Sequence, residues 1–151
     1  AAGNSCGGIT ALTVAADDPR VAAVFVLSGS STAPGSPPED AAGIMSRIRV
    51  PVGYVVGGSQ DLAATFARQD YDLLPAGVPS FIASRATGDH VAVSTDPAIQ
   101  AEDAQIATVW TDYVLYGDPR VKDVLLTAPC GTCPAGTWTV DSKDLDALER
   151  R

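Results

Sequence analysis

Gly3-Asn4-Ser5-Cys6-Gly7 matches the pattern G-x-S-x-G, with Gly8 next and a stretch of helical spacing after it. In this pattern the serine occupies a strained turn between a strand and a helix, and small neighbours let the backbone make that turn. The turn lifts the serine oxygen to the edge of a sheet, where it can act as a nucleophile. The helix beginning beneath it offers its N-terminal amides to negative charge. The backbone N–H of Cys6 is then one oxyanion donor. The plain alternative is a glycine-rich turn capped by Ser5. The Cys6 side chain reads as a small buried residue and not as a rival nucleophile, because the turn presents its central residue.

A hydroxyl is a weak nucleophile until a base takes its proton and a third group orients that base. Residues of both kinds follow. Asp61 stands in Gly57-Gly58-Ser59-Gln60-Asp61, and His90, the single histidine, in Gly88-Asp89-His90. Taken singly, Asp61 could cap the helix that follows it and His90 could be a solvated loop residue. Taken together, Ser5, Asp61 and His90 have the types and the chain order of a Ser…Asp/Glu…His triad.

The elements that must position them are legible as periodic runs. Val21 to Ser28, Val50 to Gly58 and Pro79 to Arg85 are short apolar runs bounded by turn residues, which fits buried parallel strands. Helical spacing lies between them. Gly8 to Ala16 has Ile9, Leu12 and Ala16 on one face, and Leu62 to Leu74 has Phe66 and Leu73. Pro97 to Tyr116 is the clearest helix, with a stripe of Ile99, Ile106, Val109, Trp110, Tyr113 and Val114. Asp96 is its expected N-cap, Pro97 its first residue, and Gly117 its end. Strand alternating with helix predicts an α/β fold with a parallel sheet and flanking helices. Each triad residue then falls just past the carboxyl end of a strand, so the three converge on one edge. The Ser-, Gly- and Pro-rich stretch Ser28 to Asp40 leaves the same edge, where it is either a solvated connection or a substrate-contacting loop. The tail from Pro129 reads as a second loop.

Composition narrows the function. The 151 residues carry 10 Lys+Arg against 18 Asp+Glu, a net charge of −8, and the cations do not cluster. Nucleic acid is disfavoured, since phosphate contacts need grouped Lys and Arg, and so is an anionic membrane surface. No apolar run is long enough for a membrane span. A hydrophobic content of 46% suffices for one packed core, and residues 1–151 read as a single domain. Ala1-Ala2-Gly3 does not read as a signal peptide.

Three cysteines are too few for a disulfide scaffold. Cys130 and Cys133 form one CxxC. Zinc would need two further ligands, for which only His90 and Cys6 offer themselves among the Cys and His side chains. A thioredoxin-like redox pair should open a helix, whereas Pro134 and Gly136 follow here. A local disulfide between Cys130 and Cys133 is the favoured reading, and it points to an oxidising compartment.

These residues together resemble the α/β-hydrolase superfamily, specifically its small secreted-type members. The resemblance rests on G-x-S-C-G-G at Gly3 to Gly8, a glycine pair and aspartate at Gly57, Gly58 and Asp61, and a G-x-H turn at Gly88 to His90. It extends to a P-C-G-x-C segment at Pro129 to Cys133, followed by a tryptophan and a short strand at Trp138-Thr139-Val140. It spans nearly the whole chain. It implies a secreted serine hydrolase that cleaves carboxylic esters, with Ser5 as nucleophile, His90 as base and Asp61 as its orienting group. No metal or cofactor is implied. Amide or peptide hydrolysis would use the same triad, and a non-catalytic remnant or binding module could keep the same fold.

The family places several strands ahead of the elbow, where this chain has Ala1-Ala2. The expectation is therefore the C-terminal half of a larger fold, with the strand that launches Ser5 missing. The Val21–Ser28 strand would then have an open edge without Lys or Pro, a pairing hazard. That predicts a homo-oligomer, or association with a missing N-terminal segment.

Overall fold

The computed structural model describes residues 1–117 and 137–150. Its elements run β1 (Ala2–Asn4), α1 (Cys6–Asp17), β2 (Val24–Leu27), α2 (Pro38–Met45), β3 (Val52–Val56), α3 (Ala64–Leu73), β4 (Ser80–Arg85), α4 (Ala92–Thr95), α5 (Pro97–Tyr116), β5 (Trp138–Lys143) and a closing 3-10 helix (Leu145–Arg150). The strands form one five-stranded sheet in the order β1-β2-β3-β4-β5. The first four are parallel, and β5 returns antiparallel to β4. This is the α/β architecture that alternating strand and helix patterns predict.

Both faces of the sheet are covered, which is why its strands read as continuous apolar runs. Alternate residues divide between two cores. Val24, Val26, Val52, Tyr54, Val56 and Ile82 pack with Leu12, Met45, Ile48 and Tyr71. Phe25, Val55, Phe81 and Ala83 pack on the other side with Ile106, Trp110, Tyr113 and Trp138. Phe81 meets Trp110 edge-on, with ring centres 4.9 Å apart.

Helix α5 has the bounds read from its caps. The Asp96 carboxylate accepts from the N–H groups of Ala98 and Ile99, and Gly117 closes the helix at φ 67°. Other boundaries moved. Helix α2 begins inside the Ser28–Asp40 stretch, because Pro38 is pre-set for a first turn and Glu39 and Asp40 favour the positive end of the helix dipole. The tail contains β5 and a 3-10 helix among its described residues.

The packed faces of α1 and α3 are also rotated from those the apolar spacing suggested. Helix α1 buries Gly8, Ala11, Leu12 and Ala15, leaving Ile9 and Ala16 half-exposed. Helix α3 buries Ala67, Asp70 and Tyr71, while Phe66 is half-buried and Leu73 exposed. In both helices the buried set includes small or polar residues that hydrophobicity alone overlooks.

The strand that launches Ser5 is present. Residues Ala2, Gly3 and Asn4 pair in parallel with Phe25, Val26 and Leu27, and the Phe25 N–H donates to the Ala1 carbonyl. Strand β2 is therefore paired on both sides, and among the described residues the edge of the sheet expected there lies at β1 instead. Among the described residues, no helix is long and apolar enough to cross a membrane.

Candidate active site

Ser5 is the single residue between β1 and α1, and its backbone has φ 52° and ψ −120°. A non-glycine residue in this region is strained and persists only where its surroundings enforce it. Here the Ser5 N–H donates to the Leu27 carbonyl at 3.0 Å, and the Ser5 carbonyl accepts from the Gly8 N–H at 2.8 Å. Two glycines make the turn possible. A Cβ on Gly3 would lie 2.0 Å from the Gly7 carbonyl oxygen, and one on Gly8 would lie 2.8 Å from Val26 Cγ1. Strand and helix could not approach so closely with any side chain at either position.

Asp61 and His90 leave the ends of β3 and β4, on neighbouring loops. The Gly58 N–H donates to the Gly88 carbonyl, and Gln60 and Asp89 form a parallel bridge, so the two loops are tied together. Asp89 then caps the turn after His90 by accepting from the N–H groups of Val91 and Ala92.

The three residues meet as their order suggests. Ser5 Oγ lies 2.8 Å from His90 Nε2, and His90 Nδ1 lies 2.9 Å from Asp61 Oδ1. An ionised carboxylate only accepts, so Nδ1 carries the proton and Nε2 is left to accept from the Ser5 hydroxyl. The Asp61 side chain is wholly buried, while His90 keeps a quarter of its surface exposed.

Burial alone would raise the Asp61 pKa. It is outweighed by hydrogen bonds from the Gly57 N–H, the Ala63 N–H, His90 and the Ser28 hydroxyl, which together hold the carboxyl below the usual carboxylate range. Gly57 N and Ala63 N lie 2.8 and 2.9 Å from the two carboxylate oxygens. The fixed charge therefore survives burial because four donors surround it.

One expectation needs correction. Cys6 is exposed, with a free thiol. It opens α1 on the side opposite Leu12 and Ala15, and it lines the cavity beside Ser5. Its backbone N–H is the first in the helix. The His90 ring nitrogens face Ser5 and Asp61. Among the described residues no group of three or more His, Cys, Asp or Glu could hold a metal ion. Cys130 and Cys133 lie outside the described residues.

The sequence reading missed two supporting groups. Ser28, at φ 39°, ends β2 beside the Asp61 loop, and its N–H donates to the Val55 carbonyl. Asp70 on α3 reaches the loop after β2 and accepts from the Ser31 N–H at 2.5 Å and the Ser31 hydroxyl at 2.6 Å. The signal for Ser28 was its place at a strand end on the site edge. Asp70 gave none, because an aspartate on a polar helix face reads as solvated.

No protein-family model matches the chain, and no curated protein matches it.

Proposed function

We propose that this chain is a serine hydrolase of α/β-hydrolase type that cleaves carboxylic esters through an acyl-enzyme. The observation that carries this reading is the Ser5–His90–Asp61 relay, with spacings of 2.8 and 2.9 Å, built on a serine with positive φ. The strained residue is also the one whose hydroxyl meets the histidine, and strained residues concentrate at reacting centres.

Each group has one role. His90 Nε2 takes the proton as Ser5 Oγ attacks the ester carbonyl, and it returns that proton to the departing alcohol. Asp61 holds the ring with Nδ1–H toward itself and stabilises the imidazolium. The Cys6 N–H, at the start of α1, donates to the oxyanion. Water then attacks the acyl-enzyme, giving its proton to His90, and the acid departs as Ser5 recovers its hydrogen.

A fluorophosphonate probe and an ester assay on the purified chain test the reading together. The probe should label Ser5, and Ser5→Ala should lose ester turnover by about three decades or more while keeping the native circular dichroism spectrum. Labelling at another residue, or unchanged turnover in Ser5→Ala, would remove the assignment. A chain that neither turns over esters nor takes the probe would be a non-catalytic member of the fold.

A further inference from the structure

A cavity of about 150 Å³ opens beside Ser5 and His90. Its apolar wall is built from three elements: Ile9 on α1, Phe66 on α3, and Ala33 and Pro34 on the loop after β2, with Leu62 at the rim. Lys, Arg, Asp and Glu are absent from its lining among the described residues. Its polar side chains are largely committed. Ser5 and His90 face each other, and the Ser30 hydroxyl donates to the Thr32 carbonyl at 2.8 Å. Asp61 stands behind His90, its carboxylate engaged by the Gly57 and Ala63 N–H groups and by the imidazole, and Glu39, Asp40 and Arg47 line a separate open groove that shares Ile9, Thr32 and Ala33 with this wall. The loop wall is fixed by Asp70, which holds Ser31 through both carboxylate oxygens.

We propose that this cavity is the specificity subsite of the site. It accepts one uncharged apolar substituent of the ester, of single-ring or short-chain size, and rejects a charged one. The proposal rests on the hydrolase reading of Ser5, from which it takes the position of the scissile carbonyl. Size follows from volume, since a dry apolar cavity of about 150 Å³ holds a benzene-sized guest. Neutrality follows from the lining, because a buried charge without a partner is strongly disfavoured. The substrate class is therefore neutral esters carrying a compact apolar group next to the reacting carbon or oxygen.

Binding can be read without turnover in Ser5→Ala protein. The Ile9 and Leu62 methyl resonances are followed while ethyl acetate, ethyl butyrate, ethyl hexanoate and monoethyl succinate are added, with butyl and hexyl acetate as the alcohol-side series. Affinity should rise roughly fourfold per methylene along one of the two series until the cavity is full. Monoethyl succinate should bind at least tenfold more weakly than ethyl butyrate. Phe66→Trp should remove the gain from chain length. Leu62→Lys, at a rim position 67% exposed and so tolerant of change, should narrow the deficit of the succinate ester about tenfold.

Equal binding of the charged and neutral esters, no length dependence in either series, or an unchanged order in both variants would overturn the subsite. Ester turnover by the unmodified chain is measured separately. Binding with the expected order but without turnover would defeat the hydrolase reading and leave the cavity's preference standing. Turnover without that order would do the reverse.

Discussion

Asp103 and Asp70 are buried on opposite faces of the sheet, and the two are accommodated in opposite ways. On the α5 face, Asp103 is in contact with the Arg85 guanidinium, and both side chains are about 95% buried. Arg85 also lies over the Trp138 ring and within ion-pair reach of Glu102. On the α3 face, Asp70 has no cation among the described residues; there its oxygens take the N–H and hydroxyl of Ser31. Burial, partly offset by those two bonds, raises its pKa to about 6. The Tyr54 hydroxyl, buried and without a hydrogen-bond partner among the described residues, is pushed well upward by burial and by the Asp70 charge. One face thus carries a charge-compensated lock between β4 and α5. The other carries a titratable clamp on the loop that walls the cavity.

The largest effect should come from opening the lock. Arg85→Met leaves the Asp103 charge buried and uncompensated, which should cost about 3–5 kcal/mol in unfolding free energy by urea titration. Arg85→Met with Asp103→Leu should recover most of that loss, because desolvation opposes the pair. Burial lowers the Arg85 pKa, with the carboxylates of Glu102, Asp61 and Asp96 acting against it. Arg85 Nε and Asp103 Oδ2 also lack hydrogen-bond partners among the described residues. A double variant as unstable as the single one would show that the pair is favourable in itself.

The clamp should respond to pH where the lock does not. Asp70 has a folded pKa raised from 3.8 to about 6, so the folded state holds its proton more tightly than the unfolded state does. Its contribution to stability is then fully favourable below about pH 4 and is lost as pH rises through 6. Asp61 has the opposite sign. Its depressed pKa adds stability above the unfolded value of 3.8, which is lost as pH falls through the lower folded value. Asp70→Asn keeps a bond to the Ser31 N–H and can donate to the Ser31 oxygen. Relative to the unmodified chain, it should gain on the order of 2–3 kcal/mol in stability between pH 4 and pH 7. Parallel pH profiles for the two proteins would show that Asp70 does not titrate in this range.

The contrast also separates what the sequence disclosed from what it concealed. The triad was legible because its three members are set by turn chemistry and strand ends, both local signals. The α5 caps were legible for the same reason. Asp70 and Asp103 were not. Each sits on a helix face whose burial depends on what lies across the sheet, and an aspartate's sequence context does not report that. Phe66 was placed with Leu73 by apolar spacing along the helix, yet it faces the cavity while the smaller Ala67 faces inward. Strand β1 escaped notice for want of length. Three residues carry no periodicity, and only the partners Phe25 to Leu27 make them a strand.

The smallest effect concerns the start of α5 and tests how local the lock is. Asp96 closes α4 and opens α5, accepting from Ala98 N at 2.9 Å and, more weakly, from Ile99 N at 3.4 Å. Its charge also acts favourably on Arg85. Asp96→Ala removes both cap and charge and should cost about 1 kcal/mol, measured as a shift of the urea midpoint. Asp96→Ser keeps a capping oxygen and removes only the charge. If Asp103 and Glu102 suffice to compensate Arg85, the serine variant should fall within a few tenths of a kcal/mol of the unmodified chain. A serine variant as damaged as the alanine one would place Asp96 inside the charge network. The α5 face would then depend on a dispersed group of carboxylates, whereas the α3 face depends on two hydrogen bonds to one serine.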